Sequence, residues 1–289
     1  RPRKRLHATR DKHHHDLSPH HAADLLPLLL TVPPAESHMP DFADLADRLC
    51  TALALSDMPV ALSLPPEAPA DHERPSTPVA AGCQFWERGT RRALTTIADD
   101  HRHCSIGIHT HNLGNAPRSQ PKELLTALAA MQGLDYVRED EVGAIPVLAD
   151  SPSIVAYTPL AQCTGTPALV LLFANARQGL VLAEAVTRVD GDSPAALGRP
   201  ACALVPAVIN AGRASSSLGC CGARAYLDRL DDNTTVWAIP AGNLEAYVAA
   251  IETMSRANDT LTAFHQRRRA DIAAGAEPSV EQSLARIAG

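Results

Sequence analysis

Cysteine is concentrated in two short stretches of this chain, and histidine accompanies it in the first of them; both residue types are ligands of soft metal ions. Five of the seven cysteines lie either between residues 82 and 114 or between residues 200 and 224. The first stretch also contains four histidines, at positions 101, 103, 109 and 111. Thiolates gathered from separate loops suit Zn²⁺, Cu(I) or an iron–sulfur cluster. We therefore interpret the two stretches as the two halves of one site.

The elements predicted around the first stretch place a thiol at the start of a helix. Residues 84–97 have the pattern of a helix, in which Phe85 and Trp86 face the core. Cys83 then lies at or just before the helix N-terminus, where the partial positive charge and the free N–H groups favour thiolate over thiol. Residues 105–114 are punctuated by glycine, and we expect them to be irregular.

The rest of the chain alternates between helical and strand patterns. Apolar residues at helical spacing, with Asp41 as the first N-cap, predict helices over residues 42–55, 121–133, 175–189, 201–212 and 242–259. Apolar segments predict strands over residues 59–64, 144–148, 153–160, 168–174, 223–230 and 235–240. Because this alternation lacks strict βαβ regularity, we predict an α/β or α+β fold, a mixed sheet with helices on its faces, in a single compact domain.

Three parts are expected along the chain. Residues 1–38 are rich in histidine and arginine, and they lack a periodic apolar face that would offset the entropy of ordering them. We expect this segment to be mobile, followed by a globular domain with the cysteine site over residues 39–258. Residues 259–289 are predicted to form a helical tail, in which the basic triplet at 267–269 is a solvated face.

Composition excludes several classes of protein. A net charge of -6 and a pI of about 6.1 argue against nucleic-acid binding, which needs a basic surface. No run reaches the roughly 18 apolar residues of a membrane span. The apolar stretch at 25–30 is too short and too broken by Pro27 to be a secretory signal. Seven unevenly spaced cysteines in a large chain do not indicate a disulfide framework, so we expect a reduced, cytoplasmic protein.

Five short motifs, in this order, carry a resemblance to a known family. They are C-x-F-W at 83–86, D-H-x-x-C-x-x-G at 100–107, Y-T-P-L at 157–160, P-A-C-A at 200–203 and S-L-G-C-x-G-x-R at 217–224. Together they resemble the bacterial and archaeal domain-of-unknown-function family numbered 169, over about residues 40–255. The resemblance implies that the family's cysteine positions fall on Cys83, Cys104, Cys202 and Cys220. Cys221 stands at a position where the family has a variable residue. Which of the two thiols, Cys220 or Cys221, is used here therefore stays open.

The resemblance implies related proteins but assigns them no reaction. We therefore infer the chemistry from the residues themselves. We predict that Cys83, Cys104, Cys202 and Cys220 ligate a metal, and an iron–sulfur cluster is the leading candidate. Structural zinc usually draws on a C-x₂₋₄-C knuckle, whereas the cysteines here are much farther apart or adjacent. If only three thiolates bind a four-iron cluster, its fourth iron is open to a small-molecule substrate. Arg224 would then hold an anionic substrate, and His101 or His103 would move a proton.

The predicted function is therefore an iron–sulfur-dependent enzyme, an oxidoreductase or lyase with redox or sulfur-transfer-like chemistry. One alternative is a non-catalytic module that binds zinc or haem, or senses oxidants. Another is a metal-free enzyme with one activated cysteine as nucleophile and His101 as base. Cys50 and Cys163 lie outside the clusters and are expected to be small apolar core residues. The H-x-H spacing of His109 and His111 would put both on one side of a strand, as further candidate ligands.

Overall fold

A computed structural model describes residues 40–115, 129–130, 132–133, 141, 143–198, 200–219, 222–276, 279, 281–282 and 285. The chain divides into two units, Arg1–Met39 and Pro40–Gly289, and the description concerns the second. The predicted mobile segment 1–38 lies outside the described residues. So do most of the predicted helix 121–133 and both Cys220 and Cys221.

In the described part of the chain, seven strands form one mixed sheet, which confirms the predicted fold class. The strands are β1 Val60–Ser63, β2 Leu94–Thr96, β3 Val155–Pro159, β4 Leu169–Asn175, β5 Ala195–Leu197, β6 Ser215–Ser217 and β7 Thr234–Pro240. Their order across the sheet is β2-β3-β1-β4-β7-β6-β5. Every neighbouring pair is antiparallel except β5 and β6, which are parallel. Strands β1, β3, β4 and β7 come from the continuous apolar runs, as expected for strands covered on both faces.

Seven α-helices whose bounds fall within the described residues accompany the sheet. They are α1 Phe42–Leu53, α2 Gln84–Gly89, α3 Ser105–Thr110, α4 Ala176–Asp190, α5 Leu204–Ala211, α6 Ala223–Tyr226 and α7 Leu244–Ala273. The predicted cap of α1 is confirmed, because the Asp41 carboxylate accepts hydrogen bonds from the Ala43 and Asp44 N–H groups. Asn175 and Gln178 form a capping box that starts α4, and Gly191 ends that helix with a left-handed conformation.

The two faces of the sheet carry different layers. Along β4, Val170 and Leu172 point to the face covered by α1, α4 and α7. Leu169 and Leu171 point to the opposite face, which is covered by the short helices α2 and α5 and by loops. This alternation follows from the pleat of a strand, whose successive side chains lie on opposite faces. Both cysteine-bearing stretches belong to the second layer, so the predicted site lies between the sheet and the short helices.

The predicted helix over residues 84–97 is wrong beyond Gly89. There α2 ends against the sheet, and a Cβ on Gly89 would lie 2.8 Å from Val60 Cγ1 and 3.0 Å from Tyr157 Cβ. The chain turns away and returns as β2, which pairs with β3 through Leu94 to Thr96. Pairing with a neighbouring strand therefore outweighs the helical spacing of the apolar residues, as tertiary context often does.

Three further predictions are also wrong. Residues 105–110 form the helix α3, where irregular structure was expected. Residues 144–148 are not a strand; Leu148 instead donates its N–H to the Thr110 carbonyl and supports the end of α3. Residues 223–226 form the helical turn α6, where a strand was expected. The short strands β5 and β6 escaped prediction because alanine and serine carry little β-propensity.

The last helix continues past the predicted domain boundary at residue 258. Residues 255–273 contain no glycine or proline that would break it, so α7 runs unbroken to Ala273. Its buried residues end at Met254, and the part beyond is mostly exposed. The predicted tail is thus distinguished by exposure rather than by a break in the helix. Among the described residues, no helix is both long enough and apolar enough to cross a membrane.

Candidate functional site

Three of the predicted cysteine ligands each lie at the start of a helical segment. Cys83 is the N-cap residue of α2, as predicted, and Cys104 is the N-cap residue of α3. Cys202 lies in the 3₁₀ turn Ala201–Ala203, which leads directly into α5. At α2 the opening amides are already used, because Gln84 and Phe85 donate their N–H groups to the Ala81 and Gly82 carbonyls. The predicted activation of Cys83 by free N–H groups therefore stays a prediction.

The three cysteines lie on the same side of the sheet as Tyr157 of β3. Burial raises the pKa of the Tyr157 hydroxyl, with smaller contributions from Cys83, Cys104 and Cys202. Cys83 and Cys202 are buried in the same apolar cluster as Tyr157, and α3, which Cys104 precedes, packs against the turn that holds Cys202. The structure thus places three segments that are far apart in sequence in one layer of the core.

The fourth predicted ligand, Cys220, and its neighbour Cys221 lie outside the described residues, so their roles stay predictions. The described chain near the pair alternates between buried and exposed residues. Gly219 is buried against Leu230, and a Cβ on this glycine would come within 2.4 Å of that side chain. Ala223 belongs to the apolar cluster that contains Cys83 and Cys202. Leu218 and Gly222, by contrast, are exposed, so the pair lies at the edge of the core layer that holds the other thiols.

His101 is buried beside this cluster, at the end of the 3₁₀ turn Ala98–His101. Its Nε2 lies 2.9 Å from the Thr96 hydroxyl, and that hydroxyl donates to the Val155 carbonyl. The Thr96 hydroxyl can either donate to Nε2 or accept from it, so this contact holds the ring in place with either tautomer. The other nitrogen, Nδ1, has no hydrogen-bond partner among the described residues.

His111 lies directly after α3 and is buried as well. Its Nδ1 is 3.1 Å from the Gly107 carbonyl and 3.1 Å from the Thr110 hydroxyl, which itself donates to the same carbonyl. A carbonyl only accepts hydrogen bonds, so Nδ1 is the protonated nitrogen. Nε2 therefore carries the lone pair, and within the described residues nothing donates to it.

Both imidazoles are held neutral at ordinary pH. Burial lowers the pKa of His101 to about 3, with a smaller contribution from His111. Burial also lowers the pKa of His111 to about 4, although its hydrogen bond to the Gly107 carbonyl opposes this change. A neutral imidazole with a lone pair is the form that binds metals. The same depressed pKa makes His101 a weak proton acceptor, so it is better suited to ligation than to activating a thiol.

Unsatisfied polar groups are concentrated in this part of the core. Of the five buried side-chain nitrogen and oxygen atoms without a partner in the described chain, four belong to its residues, namely Trp86 Nε1, His101 Nδ1, His111 Nε2 and Tyr157 Oη. The Tyr157 hydroxyl lies near the Thr96 side chain, which moderates the rise in its pKa without providing a well-formed hydrogen bond. Buried polar atoms without hydrogen-bond partners are rare in native interiors. Four of them in one part of the core indicate a candidate ligand-binding site.

Asp100 and Arg224 have structural contacts. The Asp100 carboxylate accepts from the Ile97 N–H at 2.8 Å and from the Arg74 guanidinium at 3.0 Å. Arg224 donates to the carbonyls of Leu218, Asp231 and Thr234, so its guanidinium fastens the loops around α6. An anionic substrate would compete with these carbonyls, and the predicted substrate-binding role of Arg224 stays a prediction.

Sequence reasoning missed the centre of the site and misjudged the geometry of one pair. From the sequence, Tyr157 was assigned only to the apolar motif at 157–160. A tyrosine inside a continuously apolar strand also indicates a buried hydroxyl that needs a hydrogen-bond partner. His109 and His111 were expected on one side of a strand. They instead lie at the end of α3, where His109 is half-buried and His111 is buried. His103, two residues after His101, is exposed.

Gly82 gives a direct test of the packing around His101. A Cβ at this buried position would lie 2.6 Å from His101 Nδ1, and the ring is fixed by Thr96 and by an edge contact with Phe85. We expect Gly82→Ala to lower the free energy of unfolding by about 1–3 kcal/mol through overpacking. Gly242→Ala is the control, because a Cβ there meets nothing within 4 Å. Equal denaturation midpoints for the two variants would contradict the close packing of Gly82 on His101.

The described residues contain no group of three or more His, Cys, Asp or Glu side chains arranged to hold a metal ion. A metal centre at Tyr157 would therefore need movement of the donors or a contribution from the undescribed cysteine pair. A family profile described as uncharacterised ArCR, DUF169, matches residues 48–250. Comparisons with curated proteins and with solved structures return no match.

Proposed function

Because the chain belongs to the DUF169 family, which is described as uncharacterised, we propose its function from the site itself. The protein is a cysteine-ligated metalloprotein, and its centre acts on a small molecule by redox or sulfur-transfer-like chemistry. An iron–sulfur cluster is the leading cofactor, ligated by Cys83, Cys104 and Cys202 together with Cys220. The proposal includes a cytoplasmic location, where thiols stay reduced, and no nucleic-acid partner.

One observation carries this proposal: Cys83 and Cys202 lie in the apolar cluster of Tyr157, and Cys104 begins α3, which packs against the turn that holds Cys202. Three thiolates drawn together in a low-dielectric interior would repel one another, because Coulomb energies there are much larger than in water. A bound cation or cationic cluster removes that cost and lowers the pKa of each thiol. Soft metals and iron–sulfur clusters are the groups that prefer such ligands.

The surroundings fit this group in two further ways. Gly107 lets the Cys104 sulfur approach the backbone, since a Cβ there would lie 2.9 Å from Sγ. Such glycines allow main-chain N–H groups to come close to cluster sulfides. The apolar side chains of Phe85 and Trp86, both fully buried, exclude water from the same place and strengthen electrostatic interactions inside it.

The test is purification without oxygen, followed by metal and acid-labile sulfide analysis and a visible spectrum. We expect iron and sulfide in comparable amounts and a brown protein with broad visible absorption. Zinc without colour, or the sharp band of haem, would replace the cluster with one of the alternative cofactors. A protein that carries no metal, and takes up neither zinc nor iron and sulfide on reconstitution, would overturn the metalloprotein proposal. The metal-free cysteine nucleophile would then be tested by the rate of alkylation of each thiol.

A further inference from the structure

We propose that residues 65–82, which we call the strap, detach from strand β2 to give a small molecule access to Cys83. The strap joins β1 to α2, and most of its residues are exposed. Cys83, which follows it directly, is only 6% exposed. This inference rests on the proposed function only in naming a small molecule as what enters.

The backbone of the strap is joined to the edge of the sheet at one point. Glu73 forms an isolated parallel bridge with Leu94 of β2. In this bridge the Glu73 N–H donates to the Ala93 carbonyl, and the Thr95 N–H donates to the Glu73 carbonyl. The strap contains five prolines, which lack the N–H that a longer pairing with β2 would need. Two main-chain hydrogen bonds therefore hold the strap to this strand.

The side chain of His72 adds a second anchor next to this bridge. Its Nδ1 lies 3.1 Å from the Thr95 hydroxyl, and its Nε2 lies 3.2 Å from the Thr158 hydroxyl. A hydroxyl can donate or accept, so both contacts persist with either tautomer of the ring. Because Thr95 lies on β2 and Thr158 on β3, the ring fastens the strap across two strands of the sheet.

Two ion pairs complete the attachment of the strap. The Glu73 carboxylate lies 3.1 Å from the Arg92 guanidinium, and the Arg74 guanidinium lies 3.0 Å from the Asp100 carboxylate. Three of the four side chains, those of Glu73, Arg74 and Arg92, are each more than half exposed. Solvent weakens ion pairs at such positions, so these two hold the strap loosely.

The last residues of the strap cover the layer that holds the cysteines. Val79 and Ala81 are buried in the same apolar cluster as Cys83. Gly82 packs on His101, because a Cβ on this glycine would lie 2.6 Å from His101 Nδ1. Since these residues immediately precede Cys83, a strap that leaves β2 also uncovers this thiol.

The strap has the properties of a segment that opens locally. Only residues 79, 81 and 82 of the strap are buried, so little apolar surface has to be exposed when it detaches. Segments with few buried side chains and exposed hydrogen bonds open without unfolding of the whole domain. A close-packed interior has few voids larger than a water molecule, so a molecule that reacts at a buried thiol needs such an opening.

The experiment uses iodoacetamide as the probe, added to the reduced full-length protein with a chelator present. Mass spectrometry measures the alkylation rate of each cysteine, and hydrogen exchange at the Thr95 N–H measures detachment of the strap. His72→Ala removes both threonine contacts and should raise Cys83 alkylation and Thr95 exchange about fivefold or more. Arg102→Gln is the matched control, since its exposed ion pair with Asp99 lies outside the strap, and it should change neither rate by more than about 1.5-fold.

Arg74→Gln is a second variant that weakens the strap at an exposed position. It removes the ion pair with Asp100 and should raise the same two rates by about two- to threefold. Because it touches no buried side chain except this carboxylate, it decides the question if His72→Ala fails to fold.

Cys202 is the internal reference, because it is buried in the same layer but lies on a separate turn. Equal acceleration of Cys83 and Cys202 would mean that the whole domain opens, and it would overturn the inference. Faster Thr95 exchange without faster Cys83 alkylation would also overturn it, and so would unchanged rates in both strap variants. A protein that carries no metal would overturn the proposed function alone, because these rates are measured on metal-free thiols.

Discussion

Serine in place of Cys83, Cys104 or Cys202 is expected to abolish the metal content of protein purified without oxygen. A hydroxyl keeps the approximate size of the thiol but lacks its soft-ligand character, so the site loses a donor that cannot be replaced. Stability should fall together with metal content, because metal binding contributes to the free energy of folding. Metal analysis and thermal unfolding of each variant, prepared alongside the parent, measure both effects.

Cys50→Ser and Cys163→Ser are the matched controls for this series. Neither residue lies near Tyr157: Cys50 is in α1, and Cys163 packs against the opposite core and donates to the Gly165 carbonyl. Burial raises the pKa of both thiols, so neither is an activated thiolate. We expect each change to cost only about 1–2 kcal/mol of packing stability and to leave the metal in place. Full metal in Cys83→Ser and Cys104→Ser would refute the ligand assignment.

The adjacent cysteines extend the series to residues that the structure does not describe. Cys220→Ser should abolish metal content, whereas Cys221→Ser should have a milder effect. The reason is the G-C-x-G-x-R motif at 219–224, whose resemblance assigns the first thiol of the pair. Metal analysis of the two variants side by side decides this point, and an equal loss in both would show that the pair acts together.

The metal-free protein should lose much of its stability as the pH falls from about 6.5 to about 4. His101 and His111 have folded pKa values of about 3 and about 4, against an ordinary value of 6.5. Between these limits the unfolded chain binds protons that the folded protein cannot accept, so acidification favours unfolding. Each histidine contributes up to about 1.4 kcal/mol per pH unit, and the two together up to about 2.7. Denaturant unfolding with a chelator present, at several pH values, measures this slope.

Replacement of the two histidines identifies the source of the slope. His101→Gln and His111→Gln should each flatten the stability profile between pH 4 and 6.5, and the double variant should flatten it most. Asp231 and Glu252, whose pKa values are lowered by hydrogen bonds to Thr234 and Arg48, lose their stabilising contribution as the pH falls through their ordinary values of 3.8 and 4.5, at the acidic end of this range and below it. An unchanged slope in the double variant would mean that the buried imidazoles do not control acid unfolding.

The sequence by itself determined the parts of the fold that local signals specify. Asp41 caps α1, and continuous apolar runs become the central strands β3 and β4, because a helix start and a doubly buried strand each have a signature within a few residues. The cysteine-rich stretches were equally visible, since crowding of thiols is a property of the sequence. The helix over 84–97 could not be predicted correctly, because its end at Gly89 depends on contact with Val60 in a distant strand.

Only the tertiary structure decided which histidines are buried beside the cysteines. His101 and His103 are two residues apart in the same polar loop, yet one is buried and the other is exposed. The difference arises because the turn Ala98–His101 faces the sheet, where Thr96 and Phe85 enclose the ring. The partner of Nε2 is likewise supplied by another part of the chain, because Thr96 belongs to β2 and contacts the Val155 carbonyl of β3. Local sequence sets which donors are available, and the packing of helices against the sheet decides which of them lose water in the same layer of the core.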